Sequence, residues 1–241
     1  MSKRIDVLSV FSTFIIISIF FSAIGIYFSA PMPEEVSTDG ENGEPIIVID
    51  AGHGGEDGGA CTYGEIPEKE LNLFIAQDLY DMLRFCGIDV VMTRDEDVLL
   101  YDKNSDYQGK KKSLDLAKRL EIANSTENGI LISIHMNAFP EAKYKGLQVY
   151  FSPNTDSSFV LANSVQNNMR IKVMPENNRK VKKADSRIYL LDRFEGTGIL
   201  IECGFLSNPE EYAKLCTEEY RKQLSLVLAE TINNYIENGG R

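Results

Sequence analysis

Histidine is nearly absent from this chain: His53 and His135 are the only two among 241 residues. Chemistry that needs imidazole therefore has two addresses and no more. Cysteine is sparse too, and Cys61, Cys86, Cys203 and Cys216 show no C-x-x-C spacing. Four cysteines allow three full pairings, among which sequence cannot choose. Free thiols are expected, because Cys203 sits in a central apolar strand, Cys86 falls on a helix, and a domain of this size needs no covalent staples. Positive charge is also short. The net charge is −11; residues 1–7 contribute +1 through Lys3, Arg4 and Asp6, leaving −12 for the rest. A phosphate backbone would be repelled, so no nucleic-acid partner is expected. Internal repeats are missing as well.

One segment lacks charge altogether. Residues 7–28 contain no Asp, Glu, Lys or Arg; as a helix they reach about 33 Å at ~1.5 Å per residue, enough to cross a hydrocarbon layer of roughly 30 Å. Lys3 and Arg4 precede the run and Glu34, Glu35 and Asp39 follow it, which puts the N-terminus in the cytoplasm and the remainder outside. A cleaved signal peptide is the alternative, with Ala23-Ile24-Gly25 as its small-residue site. The apolar run exceeds the usual length for that, and Pro31 disfavours cutting after Ala30. An uncleaved anchor over residues 1–28 is expected. Residues 29–44 then hold two prolines, two glycines and five acids, the composition of an extended linker. Residues 45–241 remain for a single domain, long enough to bury roughly 70% of its unfolded surface.

Within that domain, apolar runs alternate with helical periods, the pattern of an α/β fold. Strands are expected over residues 46–51, 88–93, 130–135, 147–151, 188–191 and 198–204. Helices are expected over 68–85, 113–124, 157–172 and 220–238. The result is a mainly parallel or mixed sheet of about six strands flanked by helices, behind an N-terminal transmembrane helix. The first strand runs into "IIVIDAGHGGEDGGA", where His53 is surrounded by five glycines. Glycine there permits a sharp turn or a close approach. A dinucleotide site is disfavoured: Asp57 stands where the third glycine of G-x-G-x-x-G belongs, and Glu56 and Asp57 would repel phosphate.

His135, in "ILISIHMNA", also ends an apolar strand, and in open α/β sheets ligands bind beyond the carboxyl ends of the strands. Two histidines in one crevice suggest zinc, which in catalytic sites takes three protein ligands and keeps one position open. The third must be a carboxylate or thiolate. Glu68 lies in helical phase with Leu71, Ile75 and Leu79 and so faces the core, whereas Glu70 runs with Gln77, Asp81 and Arg84 on a solvent face. Glu68 could also serve as a plain charge stabiliser of its helix N-terminus. Glu202, inside "GILIECGFLSN", must be paired, protonated or beside a cation. Next to zinc it could carry a proton from water to a leaving nitrogen; elsewhere it would make a structural ion pair. Residues 170–193 hold eight Lys or Arg against three acids, either a solvated face or a surface for an acidic substrate.

Taken in order, "IVIDAGHGG", "EKELNL", "TRDED", "LAKRLEIAN", "SIHMNA", "GLQVYFS" and "LIECGFLSN" resemble the zinc-dependent N-acetylmuramoyl-L-alanine amidases of the Amidase_3 type, from residue 46 to the C-terminal helix. The resemblance implies Zn²⁺ bound by His53, Glu68 and His135, with Glu202 catalytic. It implies hydrolysis of the amide between N-acetylmuramic acid and L-alanine in peptidoglycan. A membrane-tethered, single-domain member is similar to the sporulation amidases that prepare spore cortex for muramic δ-lactam formation, with the catalytic domain outside a forespore or mother-cell membrane. Other functions fitting the residues are a thiol hydrolase using Cys203, a zinc peptidase acting on stem-peptide bonds, and a non-catalytic peptidoglycan-binding module. Strand alternation opposes the first, since it places Cys203 on the face opposite Glu202. A protein activator would leave no trace in the sequence.

Overall fold

The computed structural model describes residues 43–60, 66–102, 104 and 109–240. The expected anchor, all but the last two residues of the expected linker, and Cys61 lie outside them. Among the described residues no helix is long and apolar enough to cross a membrane, and Cys86, Cys203 and Cys216 are free thiols.

Six strands form one mixed sheet: β1 (Ile46–Ala51), β2 (Val90–Met92), β3 (Gly129–Asn137), β4 (Gln148–Phe151), β5 (Lys182–Lys183) and β6 (Thr197–Phe205), in the order β2-β1-β3-β6-β4-β5. The first four in that order run parallel, while β4 is antiparallel to β6 and β5 follows β4 in parallel. The helices are α1 (Glu68–Phe85), α2 (Lys111–Ser125), α3 (Asp156–Lys172), α4 (Tyr189–Arg193), α5 (Pro209–Leu215) and α6 (Glu218–Glu237).

Strand alternation divides the sheet into two unlike faces. Ile47, Ile49, Ile130, Ile132, Ile134, Val149, Ile199 and Ile201 point one way and form the larger core with α1, α3 and α6. Each such side chain contributes about 1.5–3 kcal/mol on burial. On the other face Val48, Leu131 and Leu200 meet Ala123 of α2 and Leu190 and Leu191 of α4. Further along the same strands that second face turns polar, with Asp50, Ser133, His135 and Glu202 on it, and together they line a cleft.

α1 forms because Leu71, Ile75, Leu79 and Leu83 recur every four residues and are fully buried. Its start carries Glu68 and Glu70, its last turn Arg84, which suits the helix dipole. Gly87 at φ +81° follows the end, a left-handed stop that glycine adopts readily.

One expected strand is corrected. Residues 188–191 do not join the sheet; Tyr189–Arg193 is helical, and the sixth strand is Lys182–Lys183 instead. Asp185 accepts the backbone N–H of Arg187 at 3.0 Å, turning the chain before the apolar run begins. Leu190, Leu191 and Phe194 then bury together on the second face, a spacing that fits a helical turn. The short helix α5 had no counterpart in the expected elements.

Candidate active site

His53 lies two residues beyond the end of β1 with φ +62°, a left-handed conformation uncommon for a residue with a Cβ. The glycines on either side make room for what surrounds it. A Cβ on Gly52 would lie 2.2 Å from the His135 ring, and one on Gly59 would lie 2.6 Å from Glu68 Oε2 and 2.8 Å from His53 Cδ2. Two glycines thus occupy the space into which the three polar side chains converge.

The convergence is tight. His53 Nε2 is 3.2 Å and His135 Nδ1 3.1 Å from the same oxygen, Glu68 Oε1. The two imidazole rings stand 5.0 Å apart at 77°, and one ligand atom from each of the three residues falls within 4.8 Å of the others. Glu68 is held by its surroundings: its Oε2 accepts from the Ala60 N–H at 2.7 Å, and its Oε1 from Met136 N–H at 3.1 Å and Asn72 Nδ2 at 3.3 Å. Burial works to raise its pKa, but hydrogen bonds and charge from His135 and His53 outweigh that and hold the carboxyl far below its ordinary value. Glu70 takes no part in this cluster.

Asp57 joins the group although nothing in the sequence singled it out beyond its negative charge. Its Oδ2 lies 2.9 Å from His53 Nδ1 and 3.0 Å from Lys112 Nζ. With Nδ1 engaged by a carboxylate, His53 presents Nε2 toward Glu68 and His135. Burial would lower the His53 pKa, yet Glu68 and Asp57 raise it above its ordinary value. Burial likewise opposes ionisation of Asp57, but bonds from His53 and Lys112 hold its pKa at about 2. An acid four residues after a histidine, in a glycine-rich turn, was the available signal.

Glu202 sits opposite His135 in the parallel register of β3 and β6, so both side chains rise from the same face of the sheet. Its Oε2 is closed off from solvent and has no hydrogen-bond partner among the described residues. Burial pushes its pKa up to about 7, Glu68 adding to the rise while His135 and His53 oppose it. A structural ion pair for Glu202 is thereby set aside among the described residues. Cys203, the next residue, is fully buried in the opposite core and burial raises its thiol pKa well above the ordinary value; it is no nucleophile for this cleft.

Two imidazole nitrogens and one carboxylate, supported by further hydrogen bonds, form a donor set of the kind that suits catalytic zinc. The unpartnered oxygen of Glu202 beside them fits a cation and its water. The cleft has a volume of about 500 Å³, and its lining includes His53, Asp57, Lys112, Tyr150, Arg187 and Tyr189. The basic stretch 170–193 divides: Arg187 lines the cleft while paired with Asp185 at 2.6 Å, Lys172 pairs with Glu230 and Arg179 covers the Phe205 ring at 4.6 Å.

The sequence model of the family described as N-acetylmuramoyl-L-alanine amidase, Amidase_3, matches residues 47–234. The chain is 34% identical over 195 residues to the germination-specific N-acetylmuramoyl-L-alanine amidase of Bacillus subtilis, covering 81% of each. It is 29% identical over 239 residues to the amidase AmiC of Neisseria meningitidis, covering 82% of this chain and 54% of that one. Among solved structures, the CwlD amidase of Clostridioides difficile, in complex with the GerS lipoprotein, superposes with a TM-score of 0.76 at 34% identity, over 81% of this chain and all of the other. The amidase AmiC2 of Nostoc punctiforme gives 0.68 at 31% identity, over 82% and 99%.

Proposed function

Because the chain belongs to the Amidase_3 family and is an N-acetylmuramoyl-L-alanine amidase acting on peptidoglycan, we propose that His53, Glu68 and His135 hold a zinc ion and that Glu202 is the catalytic acid and base. The observation that carries this reading is the meeting of His53 Nε2 and His135 Nδ1 at Glu68 Oε1, with the unpartnered oxygen of Glu202 on the same face. Zinc held by these residues would supply Lewis-acid chemistry. Asp57 keeps His53 in one tautomer through Nδ1 and leaves Nε2 to the ion. A cation held by the three ligands would offset the desolvation of Glu202 and favour its carboxylate form. That carboxylate takes the proton of the attacking water and returns it to the nitrogen of L-alanine as the amide bond breaks. Lys112 and Arg187 both line the cleft, paired with Asp57 at 3.0 Å and Asp185 at 2.6 Å, and a carboxylate of an acidic stem peptide could join either pair.

By likeness to the germination-specific relative of Bacillus subtilis and to CwlD, we place the activity in spore cortex maturation, on the muramic δ-lactam route. By the same likeness a lipoprotein partner comparable to the GerS of that complex is part of the proposal. So is a membrane anchor over residues 7–28 with the catalytic domain outside. The test is metal content together with the products formed from purified peptidoglycan. Stoichiometric zinc with free L-alanine amino termini and peptide-free muramic acid is expected. New amino termini at any other stem residue would make the enzyme a stem-peptide peptidase and contradict the proposal.

A further inference from the structure

Behind the proposed ligands lie four charged side chains for which the reaction has no use: Asp50, Arg94, Asp115 and Arg119, exposed by only 1%, 2%, 3% and 1%. Arg119 donates from Nη1 to Asp50 Oδ1 and to the Ala51 carbonyl, both at 2.7 Å, from Nη2 to the His53 carbonyl at 2.6 Å, and from Nε to Asp115 Oδ2 at 2.8 Å. Among the described residues Arg94 hydrogen-bonds to carbonyls alone. Its Nε reaches Ala51 O at 2.8 Å, its Nη2 reaches Gly52 O at 3.0 Å and Lys69 O at 2.8 Å, and its Nη1 reaches Glu96 O at 2.9 Å. Two guanidinium groups therefore hold the carbonyls of three consecutive residues, Ala51, Gly52 and His53.

That arrangement is costly for stability alone. Burying a guanidinium carries a desolvation penalty that an apolar side chain of similar volume would avoid, and the domain already has two hydrophobic clusters to hold β1. What the carbonyl bonds do is orient peptide planes. Fixing the planes on both sides of Gly52 and the carbonyl of His53 sets the direction in which the His53 side chain leaves a backbone at φ +62°. The Lys69 carbonyl belongs to the first turn of α1, next to Glu68. One guanidinium, Arg94, thus ties the turn that presents His53 to the turn that presents Glu68. The planar fork matters here, since the single ammonium of a lysine cannot serve divergent carbonyls in fixed directions.

We infer that Arg94 and Arg119 are positioning residues that set zinc affinity by fixing His53 relative to Glu68. This rests on the reading that those two residues are ligands, and the experiment separates the two claims. Full-length protein in detergent is loaded with Zn²⁺ against a chromophoric chelator, and the thermal midpoint of the metal-free form is recorded in parallel. Arg94→Lys and Arg119→Lys are compared with Leu224→Ala, which opens a cavity where α6 enters the larger core, and with His53→Ala. The clamp variants are expected to raise the zinc Kd by about 10- to 100-fold, the range typical for groups supporting metal ligands. Leu224→Ala should lower the midpoint and leave the Kd unchanged. If Arg119→Lys does not fold, Arg94→Lys decides, since its contacts leave no carboxylate unpaired. Wild-type affinity in Arg94→Lys, or an equal loss in Leu224→Ala, would overturn the inference while His53→Ala still lost zinc. Wild-type affinity in His53→Ala would instead overturn the ligand reading beneath it.

Discussion

Glycine does as much for the candidate site as any charged residue. A methyl group on Gly52 would penetrate the His135 ring, its Cβ falling 2.2 Å from Cε1 and Nε2. Gly52→Ala should therefore displace His135 and lower zinc occupancy several-fold or more while the far-ultraviolet circular dichroism stays native; unchanged occupancy would contradict the packing described. Asp57→Asn should keep the fold and weaken zinc binding by about 10-fold, because the carboxylate that fixes the His53 tautomer is lost; chelator competition measures it. The four residues named for zinc and catalysis were legible because each carried a signal of its own. The two histidines are scarce and both end apolar strands, Glu68 has an inward helical phase, and Glu202 is a charge inside an apolar strand. Asp57 offered only its spacing from His53, and Arg94 and Arg119 stood in motifs of the resemblance without a role of their own. Their roles depend on partners up to 69 positions away, as with Arg119 and Asp50, and only the folded chain brings those together.

Secondary elements were readable where periodicity was long and exposed one face. β1 and α1 run over the residues expected, and β3, β6, α2, α3 and α6 differ by a few residues at their ends. The short strands β2 and β4 fall within the expected 88–93 and 147–151, but the one expected over 188–191 failed for a physical reason: its four apolar residues fit either period, and contacts with Val48, Leu131 and Leu200 decided for a helix. α5 was overlooked although "SNPEEY" marks it. Asn208 caps it by accepting from Glu210 N–H at 3.0 Å and Glu211 N–H at 3.1 Å, with Pro209 at the first helical position. Asn208→Ala should cost about 0.5–2 kcal/mol in denaturant unfolding. The loss extends to the β3–β4 connection, where Asn208 Nδ2 also donates to Ala142 O at 2.8 Å. A change below the scatter of the measurement would deny the cap its role.

For the whole molecule, the sheet is a partition: three helices seal one face with hydrocarbon, and the other face is left polar where the strands reach the cleft. Acid should test that design through Asp50. Burial works against its ionisation, but the charge of Arg119 and bonds from Ser133 and Arg119 outweigh it and hold the pKa at about 2. A depressed carboxylate stabilises the fold above its unfolded pKa of roughly 3.9. That contribution, about 3 kcal/mol at ~1.4 kcal/mol per pH unit, should fade as pH falls from roughly 4 through 2. Asp50→Asn should flatten this part of the acid stability curve, and an unaltered slope would remove Asp50 from the account.

The central claim is that Glu202 moves protons and does not hold the metal or the fold. Glutamine keeps the shape of glutamate but cannot accept the proton of water. Zinc content, thermal midpoint and cleavage of the muramoyl–alanine amide, measured on one preparation of Glu202→Gln, test that claim together. The expected result is wild-type zinc, a wild-type or higher midpoint because a poorly solvated charge is gone, and turnover reduced by roughly 10²-fold or more. A Glu202→Gln protein that is destabilised, or short of zinc, yet fully active per folded and metal-loaded molecule would contradict it.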